Sequence, residues 1–175
     1  MALTDKQTGV LKGMLVGAAC ALAIVIVGAW LNPFSFQSEM GSAERLGIAI
    51  KASVLPAIFL AASVGRLAKH RFFTPEDIDG GGLTRGTERA MLLQSLLQNT
   101  LEQFALAVVA YCAWAVVMPA TWLSVVPLAA VAFAVGRVMF FSGYEHGAPS
   151  RAIGFTLSFY PSVLMLACVV LAMFI

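Results

Sequence analysis

A helix that crosses the hydrocarbon core of a bilayer needs about 20 consecutive, mostly apolar residues, and this chain has room for five of them. The stretches are residues 10–31, 46–67, 88–118, 120–141 and 152–175. Lipid offers no partner to a backbone N–H or C=O, so only helices or closed barrels can cross it. None of these runs shows the two-residue alternation of a barrel strand. The chain therefore reads as all-α, a polytopic membrane helical bundle. Composition agrees: 60% of the 175 residues are hydrophobic and only 11% are charged, against roughly 25% charged in a soluble domain. A net charge of +2 with no basic run excludes the electrostatic footprint of a nucleic-acid binder. Cys20, Cys112 and Cys168 lie inside apolar runs, so they read as small hydrophobes and neither a disulfide framework nor a metal site is expected.

The first run is long for a secretory leader and lacks a small-x-small site before Pro33, so it is read as a retained span. With five spans, Lys6, Lys12, Arg66, Lys69, Arg71, Arg85, Arg89 and Arg151 share one side. Arg45 and Lys51 lie on the other, offset by Glu39 and Glu44. The excess of Lys and Arg puts the amino-terminus in the cytoplasm and the carboxy-terminus on the opposite side, across the inner membrane if the source is bacterial. The segment 74–86 is the long polar connection. Pro75-Glu76-Asp77 suits a short helical turn, and Gly80-Gly81-Gly82 keeps the chain after it flexible. Pro56, Pro127 and Pro161 fall within spans, where a kink is tolerable if neighbouring helices cover the freed carbonyls.

Polar residues inside the spans are the informative ones. Gln94, Ser95, Gln98, Asn99 and Glu102 recur at spacings of three and four, which makes them one stripe on a helix. The stripe should face other helices or a wet cavity. A carboxylate such as Glu102 costs about 2.5–3.5 kcal/mol deep in a span. Arg137 sits near the charged end of the fourth run, with Tyr144 two turns further along the same face and Arg151 just before the fifth. Two readings follow. Glu102 and Arg137 form a structural ion pair while Gln and Asn bridge helices, or the group is an anion-binding pocket with arginines as clamps. His70 and His146 read as solvated loop residues and support no metal site. Tyr111 and Trp114 read as interfacial or packing aromatics. A transporter using Glu102 as a proton or ion site would show paired repeats and broken helices, and the chain has no internal repeat.

The same residues resemble the motifs of the MAPEG family, the membrane-associated proteins in eicosanoid and glutathione metabolism, and of its microsomal glutathione transferases in particular. Asn99-Thr100-Leu101-Glu102 is similar to the family's N-x-x-E signature. Arg137 through Gly143-Tyr144 resembles its R-x-x-x-x-x-G-Y segment, and Ala148-Pro149-Ser150-Arg151 followed by Gly154-Phe155 resembles its A-P-x-R turn. Arg66 and the run from Arg71 to Asp77 resemble the end of the first family helix and the loop after it. The resemblance implies a four-helix core over residues 46–175 and makes residues 1–45 an additional amino-terminal transmembrane helix with its connecting loop. It further implies a homotrimer that binds glutathione between protomers near the cytoplasmic side. Arg66, Asn99, Glu102, Arg137 and Tyr144 would hold the peptide, and Arg151 would stabilise its thiolate against a lipophilic electrophile arriving from membrane lipid. The activity implied is that of a transferase or peroxidase, the alternative being a non-catalytic member that binds lipid or another anionic ligand. Five positions depart from the family pattern, one of them Gln103, where some members have tyrosine or another residue. Ser95 stands where family enzymes usually carry an arginine, with Arg89 or Gln94 as its candidate replacement, and Leu97, Phe140 and Ala152 stand at other ligand-proximal positions.

Overall fold

The computed structural model describes residues 3–174, and Ile175, the end of the fifth expected span, lies outside them with Met1 and Ala2. The helices are α1 (Asp5–Ile26), α2 (Ser42–Phe73), α3 (Glu88–Val117), α4 (Val125–Gly143) and α5 (Ala148–Met173). A π-helical turn, Val27–Leu31, continues α1, and single 3-10 turns stand at Pro75–Asp77, Ala120–Trp122 and Tyr144–His146. Five helical segments are long and apolar enough to cross a membrane, and no strand occurs among the described residues.

Helix ends depart from the apolar runs where local chemistry overrides hydropathy. α1 begins ahead of its run because Thr4 and Gln7 form a capping box: the Gln7 N–H donates to Thr4 Oγ1 at 3.3 Å and the Thr4 N–H to Gln7 Oε1 at 2.8 Å. α2 extends past residue 67 to Phe73, because polar side chains outside the hydrocarbon do not stop a helix whose backbone bonds are all internal. α4 begins only at Val125, after the separate turn at Ala120–Trp122. Pro127 thus falls in the first turn of α4, where a missing N–H removes no helical hydrogen bond.

α2 and α3 form one antiparallel hairpin and α4 and α5 another, and α3 packs against α5. α1 lies on the outside of α5 and runs parallel to it. Gly9 meets Pro149, Gly13 meets Ala152 and Gly17 meets Thr156, so the two registers rise together. The approach depends on small residues at every fourth position of α1. A Cβ on Gly13 would stand 2.6 Å from the Ala152 Cβ, and the Thr156 hydroxyl donates to the Gly13 carbonyl at 3.0 Å. Without water to squeeze out, helices in lipid associate through close backbone approach and such interhelical bonds. The same device closes the α4–α5 hairpin, where a Cβ on Gly136 would stand 2.7 Å from the Gly154 carbonyl oxygen. At the far end Asn32 takes a left-handed conformation (φ 42°), which asparagine tolerates. It accepts the Ser124 hydroxyl at 2.7 Å, pinning the α1–α2 connection to the start of α4.

Two apolar clusters fill the bundle. The larger, around Tyr111, Trp114, Leu123, Phe133 and Met165, occupies the end away from the charged loops. The smaller, Leu67, Leu93, Leu96 and Phe140, lies toward them. Tyr111 and Trp114 are packing residues, each 1% exposed. Between the clusters sits a polar layer centred on Arg137.

Candidate functional site

Arg137 is completely buried. Its Nη1 donates to Asn99 Oδ1 at 2.9 Å, and its Nη2 to Gln103 Oε1 at 3.0 Å and to Ser158 Oγ at 2.7 Å. The guanidinium also lies over Phe140, 4.4 Å from the ring centroid. α3, α4 and α5 are thereby tied together by one side chain. The ion pair with Glu102 does not form. Asn99 and Gln103 are one turn apart and face α4, whereas Glu102 precedes Gln103 by one residue and so points about 100° away. Glu102 is exposed, and its carboxylate accepts the Gln98 amide at 2.8 Å.

The stripe on α3 consequently divides. Asn99 turns partly inward, while Gln94, Ser95, Gln98 and Glu102 remain on the outer face of the bundle and are covered by no helix of their own chain. With Asn99 and Tyr144 they line an open groove of about 440 Å³. Arg151, in the first turns of α5, lies over the Tyr144 ring at 4.3 Å, and no carboxylate among the described residues pairs with it. Asn99, Glu102, Tyr144 and Arg151 therefore converge, with Arg137 behind Asn99. Arg66 does not join them. It is exposed above Phe141, 5.6 Å from the centroid, and shares a separate cationic cleft with Lys69, His70 and Arg89. Arg89 makes an exposed ion pair with Glu145, on the Arg66 side and away from Ser95, so it does not stand in for the arginine absent at that position.

A second groove, of about 320 Å³, is apolar and also begins at Arg151. Phe140, Phe155, Phe159 and Tyr160 line one side, and Val10 and Met14 of α1 line the other.

The connection between α2 and α3 is ordered by a residue whose importance is hidden in the sequence. Asp77 is 1% exposed. Its carboxylate accepts the Thr87 hydroxyl at 2.6 Å, the Thr87 backbone N–H at 2.8 Å and His70 Nε2 at 2.9 Å. His70 is therefore a half-buried member of α2 that ties down the loop, where a solvated loop residue was expected. The Thr87 hydroxyl, followed by the Thr87 N–H and His70, holds the Asp77 carboxyl below its ordinary value of 3.8, against the opposing effect of burial. A lowered carboxylate contributes stability that is fully present above its unfolded value and is lost as pH falls through the folded one. Hydrogen exchange of residues 78–86 should therefore accelerate as pH is lowered below about 4, after correction for the intrinsic rate. Asp77→Asn should exchange fast at every pH. A variant that keeps the wild-type acid step would show that Asp77 is not its source.

Neither a curated protein nor a solved structure matches the chain. The model of the MAPEG family matches residues 46–171, which run from the first turns of α2 almost to the end of α5 and contain every residue of the groove. α1 lies outside the match. With five apolar helices long enough to span a bilayer and a family model over most of its length, the chain is an integral multi-pass membrane protein and a member of the MAPEG family.

Proposed function

We propose that this protein is a membrane-embedded, glutathione-dependent transferase or peroxidase acting on lipophilic electrophiles, with its charged end in the cytoplasm. One observation carries the reading: a carboxylate, Glu102, lines an open groove in that end, a guanidinium, Arg151, is stacked on the Tyr144 ring that lines the same groove, and neither has a charged partner among the described residues. An unneutralised pair at the membrane is costly unless a ligand or neighbour completes it. Glutathione is complementary, with an ammonium for Glu102, carboxylates for arginine and amides for Asn99 and Gln98. When bound it supplies a sulfur nucleophile. Arg151, stacked on Tyr144, is the residue that holds the sulfur in its charged form, since a neighbouring cation lowers a thiol pKa from about 8.5. Arg137 acts from behind by fixing Asn99, and its complete burial makes it a positioning residue. Arg66, remote within one protomer, reaches the groove from a neighbouring protomer in a homotrimer, which also covers the exposed stripe of α3. The apolar groove that starts at Arg151 is where a lipophilic partner meets the sulfur. The extra helix α1 gives that groove its outer wall.

The reading is tested by calorimetric titration of the detergent-purified protein with reduced glutathione, alongside Glu102→Gln. Saturable binding that the variant weakens by about tenfold, the loss of one charge-assisted contact, is expected. A folded trimer that binds no glutathione at millimolar ligand would overturn the reading, and would favour a non-catalytic member that holds lipid or another anion.

A further inference from the structure

The Glu102 groove has no cation in its own lining, and at its Gln94–Ser95 end the fold brings two arginines. Arg71, in the last turn of α2, donates from Nη2 to Gln94 Oε1 at 3.2 Å. Arg85, in the connection after it, faces the same cleft, about 310 Å³ in volume, whose wall includes Gly80, Thr84, Gln94 and Ser95. The glycine segment lies against the Arg71 guanidinium: a Cβ on Gly81 would stand 3.6 Å from Nη2 and one on Gly80 3.8 Å from Nη1. Gly80 also needs its positive φ of 79° to fold back there. Asp77 is the one carboxylate in the cleft wall, and both of its oxygens are occupied by Thr87 and His70. Two guanidiniums thus face one already satisfied carboxylate, and a forked guanidinium without a carboxylate partner is suited to bidentate capture of one.

The cleft and the Glu102 groove are continuous, since Gln94 and Ser95 line both. From Ser95 to Glu102 is two helical turns, about 10.5 Å at 1.5 Å per residue. An extended tripeptide spans at most about 10–11 Å. We infer that Arg71 and Arg85 form a carboxylate site at the Ser95 end of the groove and take the glycyl carboxylate of the tripeptide whose ammonium lies at Glu102. This rests on the glutathione reading above. Within it, the inference assigns to α2 and its following loop a specificity role: they select a diacid peptide of tripeptide length over shorter thiols.

The test uses the full chain in detergent and compares wild type, Arg71→Ala, Arg71→Lys and Arg71→Ala/Arg85→Ala. Each is titrated with glutathione and with its monoethyl ester, in which the glycyl carboxylate is blocked. Arg71→Ala should weaken glutathione about tenfold and the double variant up to about a hundredfold, with partial recovery in Arg71→Lys. The ester should bind wild type as weakly as glutathione binds the double variant, and the substitutions should not weaken it further. Glutathione affinity unchanged in the double variant, or equal losses for glutathione and ester, would overturn the site while leaving the glutathione reading intact. If wild type binds no glutathione, inorganic phosphate is the probe. Phosphate binding abolished in the double variant would sustain the anion site without the tripeptide, and no phosphate binding would remove the site as well.

Discussion

Arg137→Leu is expected to lower the stability of the bundle by about 2–5 kcal/mol, from three interhelical contacts of about 0.6–1.7 kcal/mol each in a membrane interior. The residue holds three oxygens on two other helices, Asn99 and Gln103 of α3 and Ser158 of α5, from its own place on α4. Leucine fills much of the volume but removes the guanidinium donors, leaving only the Ser158 hydroxyl on Gln103 Oε1 and the long 3.5 Å bond from the Gln103 amide to Asn99 Oδ1, and an under-satisfied buried polar group is penalised more than the bond was worth. Arg137→Lys should fall between, because one ammonium cannot reproduce the fork that meets Asn99 and Gln103 together. Unfolding in mixed micelles, titrated with denaturing detergent, measures the difference. A leucine variant as stable as wild type would mean that the polar layer contributes nothing net to the fold. The same variant releases Asn99, so ligand affinity in the fraction that remains folded should fall although Arg137 never touches the groove.

Arg151→Ala is expected to reduce turnover at neutral pH by roughly 10²–10³-fold, the range for removing one group aimed at a reacting anion, with a smaller change in glutathione affinity. The sign follows from charge. A guanidinium favours the thiolate and lowers the pKa of the bound thiol, so its removal raises that pKa toward the free value of about 8.5. The pH–rate profile should therefore move to higher pH in the variant, and the ultraviolet absorbance of bound thiolate at neutral pH should disappear. Arg151→Lys should restore part of both, because the charge remains while the stack on Tyr144 is weakened. An unchanged pH profile would remove Arg151 from the chemistry and leave it as a binding contact. Loss of activity with no shift in pH dependence is what a purely structural role would produce.

The contrast between Glu102 and Arg137 shows how far the residue pattern reaches. Helical spacing identified both as intramembrane polar groups, and identified the stripe to which Glu102 belongs. It did not say that Arg137 would bind neutral amides, because that depends on the rotation of α3 about its own axis. Periodicity specifies which residues share a face but leaves the direction of that face open. The Arg71–Ser95 juxtaposition lies beyond it for a related reason: the two residues are brought to one cleft by the antiparallel packing of α2 on α3, around a connection that Asp77, a residue of the polar loop in the sequence, ties to Thr87 and His70. The docking of α1 was written in its Gly9, Gly13, Gly17 and Ala21 spacing, but the spacing names no partner, and α5 was chosen by the Pro149, Ala152 and Thr156 surface it presents.

Hydropathy alone required an all-helical bundle of five spans, because a backbone in lipid has no other way to satisfy its own hydrogen bonds. The order of short motifs from Arg66 to Phe155 was enough to identify the family. Which side chains converge on one groove, which guanidinium is buried and which remains free, and where α1 lies were decided by helix azimuth and by loop closure. Those are properties of the packed bundle, since they depend on distances between residues far apart in the chain that no local pattern encodes.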